Sequence, residues 1–213
     1  MMASNTLRIL VPGLLLPVFM SHAGGWAVVT VDTLPEYTEA GKSTQLTYVV
    51  RQHGVEPHPN LKGTIEATSG RLTARGLVVP GERPGQYTAS ITLPSAGDWS
   101  ITIRSGFPRA DVTLLPLTAV THGTSLTRAA TDIERGEALF TAKGCVTCHV
   151  QMDVGPRLEG RRFEAAYIST FLANPPRTPT QPSRSPMPNL GLEQREIASL
   201  VAYLNSPRQL GAR

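Results

Sequence analysis

With 213 residues, 40% of them hydrophobic and 17% charged, the chain is long enough for one large domain or two small ones that each bury a core, and a change of composition near residue 120 favours two. The formal charge of +4 is spread thinly: residues 24–130 carry nine basic and eight acidic side chains, and residues 131–213 carry ten and eight. There is no basic stripe, so nucleic acid is not an expected partner.

The first segment has Arg8, an apolar run over residues 9–20, and then Ser21, His22 and Ala23, a small-x-small site before Gly24. Residues 1–23 therefore read as a secretory signal peptide, which predicts a periplasmic or otherwise extracytoplasmic protein. The run is too short to span a bilayer comfortably, and Pro12 and Pro17 interrupt any helix through it. An uncleaved N-terminal anchor is the alternative. The mature chain is expected to be soluble or peripherally attached to a membrane.

Residues 24–117 contain about seven short runs rich in β-branched and apolar residues, over 26–34, 44–51, 61–68, 72–79, 86–93, 99–104 and 112–117. Turn signals separate them, such as Pro80-Gly81, Pro84-Gly85 and Ala96-Gly97-Asp98. Strands at this spacing predict an all-β antiparallel sandwich. Tyr87, Ala89, Ile91 and Leu93 alternate with Thr88, Ser90 and Thr92, which places the apolar set, with Trp99, Ile101 and Ile103, in the core. Residues 118–130 show no strong period and read as a linker.

Helical signals start at Thr131, which forms a capping box with Glu134; Ile133, Gly136, Glu137 and Phe140 share one face of the predicted helix. At the other end Ile197, Leu200, Val201 and Leu204 repeat at helical spacing. Between them residues 175–188 hold six prolines and must form an extended loop.

Cys145-Val146-Thr147-Cys148-His149 is a C-x-x-C-H sequence, read as a site of c-type haem attachment. Two thiols about one helical turn apart can add to the two vinyl groups of one porphyrin. His149 then lies under the ring, where a neutral imidazole nitrogen binds iron. A disulfide or redox dithiol uses the same spacing, but a dithiol belongs at a helix start in a βαβ setting, and zinc needs further ligands. Only Met152 and Met187 follow the signal segment. Met152 is too near His149 to reach the far face of a haem, whereas Met187, between Pro186 and Pro188, is placed to return over it. Met187 is the predicted second axial ligand, with His122 as its rival.

On Gly136, Leu139, Phe140, Gly144, the 145–149 motif, residues 155–158, Met187-Pro188-Asn189-Leu190-Gly191-Leu192 and residues 197–204, the region 131–208 resembles a small bacterial class I cytochrome c. The resemblance implies an all-α cytochrome c fold holding one covalent haem c, with iron between His149 and Met187. It also implies that the first and last helices cross near Gly136, where Tyr203 or Leu200 approaches, and that the Pro156 carbonyl accepts a hydrogen bond from His149. With both axial positions filled, the expectation is an electron-transfer protein rather than an enzyme, serving redox partner proteins or a membrane respiratory complex. A peroxidase-like enzyme with a displaceable sixth ligand is the alternative.

Residues 24–117, on Trp26, Gln52-His53-Gly54, Pro84-Gly85-Gln86-Tyr87 and Gly97-Asp98-Trp99, loosely resemble exported immunoglobulin-like sandwiches of the YtkA/FixH type. Some of that group handle copper or accompany respiratory complexes. The resemblance admits a docking module, a spacer, or a copper-handling module using His53, His58 and His22, although the sandwich lacks methionine to add soft ligands.

Overall fold

The computed structural model describes residues 25–176 and 186–207. The expected signal segment and most of the proline-rich loop lie outside the described residues.

The N-terminal unit contains ten strands: β1 (Ala27–Val31), β2 (Thr38–Glu39), β3 (Ser43–Gln52), β4 (Glu56–Pro57), β5 (Thr64–Ser69), β6 (Leu72–Pro80), β7 (Gln86–Thr92), β8 (Gly97–Arg104), β9 (Asp111–Thr113) and β10 (Leu117–Val120). They follow one hydrogen-bonded path, β1-β3-β7-β6-β5-β8-β10-β2, with β4 beside β3 and β9 beside β8. β6 carries the path between the two layers. Its first half pairs with β5 and its second with β7. The change falls at Gly76, where a Cβ would sit 2.1 Å from the Ser90 carbonyl oxygen.

The alternating residues of β7 and β8 face inward as their pattern requires: Tyr87, Ala89, Ile91, Leu93, Trp99, Ile101 and Ile103 are all buried in one cluster. Seven of the strands correspond to the seven runs of the sequence. The other three, β2, β4 and β10, are two to four residues long, and their pairing is set by neighbours rather than by local pattern. β10 corrects two expectations. It extends the sandwich into the stretch read as linker, pairing with β8, and it lies parallel to β2 in an otherwise antiparallel arrangement.

The C-terminal unit packs three helices, α1 (Asp132–Ala142), α2 (Ala165–Ala173) and α3 (Gln194–Leu204), around a second cluster that includes Phe140, Ile168, Leu172, Leu200 and Tyr203. α1 begins at the capping box: Thr131 Oγ1 accepts from the Glu134 amide, and the Glu134 carboxylate accepts from the Thr131 amide. Arg128 adds two hydrogen bonds to that carboxylate and, with the Thr131 bonds, holds its pKa down at about 2. At the start of α3, the Glu193 amide donates to the Glu196 carboxylate, one arm of a capping box built from two glutamates. No helix among the described residues is long and apolar enough to cross a membrane.

α1 and α3 cross where α1 offers Gly136. A Cβ there would lie 2.0 Å from the Ser199 carbonyl oxygen and 2.7 Å from the Tyr203 Cβ, so the residues that approach are Ser199 and Tyr203. Gly136→Ala is expected to force the two helices apart and to destabilise the C-terminal unit by about 1–3 kcal/mol, the usual cost of overpacking. Guanidinium unfolding followed by far-ultraviolet circular dichroism measures it.

Candidate haem site

α1 ends at Lys143, and Gly144 then takes a left-handed conformation, φ +76°, that turns the chain into the C-x-x-C-H sequence. Residues Thr147–Gln151 form a single π turn, closed by the Met152 amide on the Thr147 carbonyl at 2.8 Å. This wide turn carries Cys148 and His149, with Cys145 just before it. Both cysteines are unbridged and half-buried. Burial pushes the Cys145 thiol up to about 12 and the Cys148 thiol up to about 11, so both are neutral thiols at physiological pH.

His149 Nδ1 lies 2.8 Å from the Pro156 carbonyl oxygen. A carbonyl only accepts, so Nδ1 carries the proton, and Nε2 is the ring nitrogen with a lone pair suited to iron. Gly155 makes room for this arrangement: a Cβ there would fall 2.7 Å from Nδ1 and 2.8 Å from Cε1.

These groups face a cavity of about 380 Å³, within the size range of small-molecule sites. Phe140, Phe163, Ile168, Phe171, Leu172, Leu200 and Leu204 supply apolar lining from or beside the three helices, and Met187, with Pro186 and Pro188, supplies another part of the wall. Met187 also packs on the C-terminal core. The structure therefore brings Cys145, Cys148, His149, Pro156 and Met187 to one place. Met152, partly exposed to solvent, is not in the lining. His122 is not in it either; its Nδ1 pairs at 2.8 Å with Glu39 on the sandwich surface.

α2 is a helix that the expected elements did not include. Its start is held by the Glu164 carboxylate, which accepts from the Ala166 and Tyr167 amides at 2.9 and 2.6 Å. Asn205 clamps the same point, donating to the Phe163 carbonyl and accepting from the Phe163 amide. The available signal was Glu164 ahead of Ile168 and Leu172, a short stripe one helical turn apart. Of the histidines considered for copper, His53 rests edge-on against Trp26 and His58 against Phe107, while His22 lies outside the described residues. Among the described residues no group of three or more His, Cys, Asp or Glu is arranged to hold a metal ion.

An apolar crevice with two neutral thiols, an oriented imidazole and a thioether matches the donor set of a c-type haem. Fold and site together define residues 131–204 as a cytochrome c domain, joined to an N-terminal β-sandwich. The same residues match the family model described as cytochrome C oxidase, cbb3-type, subunit III. Such a domain implies covalent haem c with iron and supports haem-based electron transfer. No curated protein matches the chain.

Among solved structures, the Lin-41 filamin domain is similar at 12% identity, covering 45% of this chain and 93% of that one with a TM-score of 0.34. The ZirS C-terminal domain is similar at 18% identity, covering 57% and 87% with a TM-score of 0.31. Domains 4 and 5 of the S-layer protein SbsC are similar at 21% identity, covering 43% and 50% with a TM-score of 0.30.

Gly155→Ala is expected to displace the imidazole and weaken its bond to Pro156. In histidine-labelled protein, the His149 Nδ1–H resonance is expected to exchange with water at least about tenfold faster than in the wild type. An unchanged rate would mean that the ring is fixed by other contacts.

Proposed function

We propose that this chain moves single electrons outside the cytoplasm, using one haem c attached through Cys145 and Cys148 with His149 and Met187 as axial ligands. Its partners are redox proteins or a membrane respiratory complex. The observation that supports this reading is the convergence of Cys145, Cys148, His149 and Met187 on one apolar cavity from two separate stretches of sequence. The family match supports the respiratory setting, and the export signal read in residues 1–23 supports the location.

When bound, the haem supplies a one-electron iron couple. The chain's own residues do the rest. Cys145 and Cys148 anchor the group, and the Pro156 carbonyl orients the His149 imidazole and raises its basicity. The Met187 thioether favours ferrous iron and so lifts the potential above that of two nitrogen ligands. A haem held by both His149 and Met187 would have no iron position left for a substrate, which favours electron transfer over catalysis. Redox partners would then dock beside the site through a small, transient interface. Arg157, Arg161 and Arg162 near the site are interleaved with Asp153, Glu159 and Glu164, and Arg157 Nε lies 3.4 Å from Asp153 Oδ1. That local balance argues against strong electrostatic steering by this stretch.

The test is the visible spectrum of full-length protein matured with haem. The wild type should show the weak long-wavelength sulfur-to-iron band in the ferric state and should not bind added carbon monoxide when reduced. Met187→Ala should lose the band, bind carbon monoxide, and favour the ferric state by about tenfold or more, roughly 59 mV per tenfold. A wild type without the band that binds carbon monoxide at once would instead indicate a haem enzyme with an open sixth position.

A further inference from the structure

β1 is buried along its whole length, although it ends the strand path. Successive side chains of a strand point to opposite faces. Ala27, Val29 and Val31 enter the sandwich core, while Trp26, Val28 and Thr30 line the cavity that holds Cys145, Cys148 and His149. One strand thus serves two interiors.

The contact is built on both sides. Gly144, the residue before Cys145, lies so close to β1 that a Cβ would sit 2.3 Å from Val28 Cγ1 and 2.7 Å from the Val29 carbonyl oxygen. Thr30 Oγ1 donates to the Lys143 carbonyl at 3.4 Å, and Lys143 Nζ donates to the Asp32 carbonyl at 2.7 Å. Trp26 is braced from behind: its carbonyl accepts from the His53 amide at 2.9 Å, its ring meets the His53 imidazole edge-on, and Gly54, φ +75°, leaves room for the indole.

We infer that the N-terminal sandwich is the second half of the haem pocket, with β1 as a wall whose Trp26 and Val28 exclude water from the haem and thereby raise its reduction potential. Such a wall presupposes the haem site proposed above. An apolar wall lowers the local dielectric and disfavours the more highly charged ferric state, so a wetter wall stabilises it. Trp26 and Val28 are positioning residues in this sense: they shape the medium around the iron and need not touch it. The sandwich is then neither a spacer nor a separate docking module, and redox partners must meet the haem at a rim that β1 does not cover.

The experiment is a redox titration of full-length, haem-loaded wild type, Trp26→Ala, Trp26→Phe and Val28→Thr. Trp26→Ala is expected to shift the reduction equilibrium about tenfold toward ferric iron, a midpoint roughly 59 mV lower. Trp26→Phe should recover most of that shift. Val28→Thr, which changes polarity but hardly volume, should lower the midpoint in the same direction, and it carries the test if Trp26→Ala fails to mature. In all variants that mature, the sulfur-to-iron band should persist, because the ligands are untouched. Wild-type midpoints in every mature variant would overturn the inference while leaving the haem site intact. A wild type that carries no covalent haem would instead overturn the reading of the site beneath it.

Discussion

The structure turns on the ammonium of Lys143. This side chain is 4% exposed, and its Nζ donates to the Asp32 carbonyl at the end of β1 while pairing with Glu196 Oε1 at 2.8 Å. Glu196 uses its other oxygen on the Glu193 amide at the start of α3. One buried ion pair therefore ties the end of α1, the start of α3 and the edge of the sandwich. A charge buried this deeply survives only with its partners in place, and losing one partner typically costs about 3–5 kcal/mol. The next two residues are Gly144 and Cys145. The same lock that joins the units also sets where the first thiol stands.

Packing around that lock explains why the glycines fall where they do. Gly136 admits the Ser199 carbonyl so that α1 and α3 can cross, Gly144 admits β1, and Gly155 admits the His149 ring. Each removes a Cβ at a backbone approach that the site requires. The salt bridges outside this core are different in kind. Arg195 to Glu36 at 2.9 Å and Arg135 to Glu36 at 3.4 Å also span the units; Arg195 and Glu36 are solvent-exposed, and a pair of that sort contributes little beyond orientation, whereas the Arg135 side chain is largely buried.

Much of this was legible in the sequence, because it depends on local pattern. The alternation of β7 and β8, the Thr131 capping box and the C-x-x-C-H spacing each encode their outcome within a few residues. The place of Met187 in the cavity wall was legible for a different reason: few sulfur donors follow the expected signal segment, and proline restricts where they go. What escaped depends on partners distant in sequence. β10 is a strand because β8 and β2 flank it, and α2 is a nine-residue helix stabilised by Asn205 and by apolar neighbours across the cavity. The docking of the sandwich left one faint trace. The run Ala27-Val28-Val29-Thr30-Val31 is nearly continuous in apolar character, where an edge strand with one wet face should alternate. Such a run marks a strand covered on both sides.

That two-sided strand has a thermodynamic corollary. A wall that favours ferrous iron does so through a contact between the sandwich and the haem domain, and coupling free energies are reciprocal. Whatever factor the docked sandwich contributes to reduction, reduction must contribute to docking. If β1 walls the haem as inferred, the contact at Gly144 and Lys143 would be tightest in the ferrous protein and loosest in the ferric one, by the same factor that separates the potentials of the walled and unwalled haem. The sandwich would then report the redox state of the iron through the stability of its own seat, without any movement of the proposed ligands His149 and Met187.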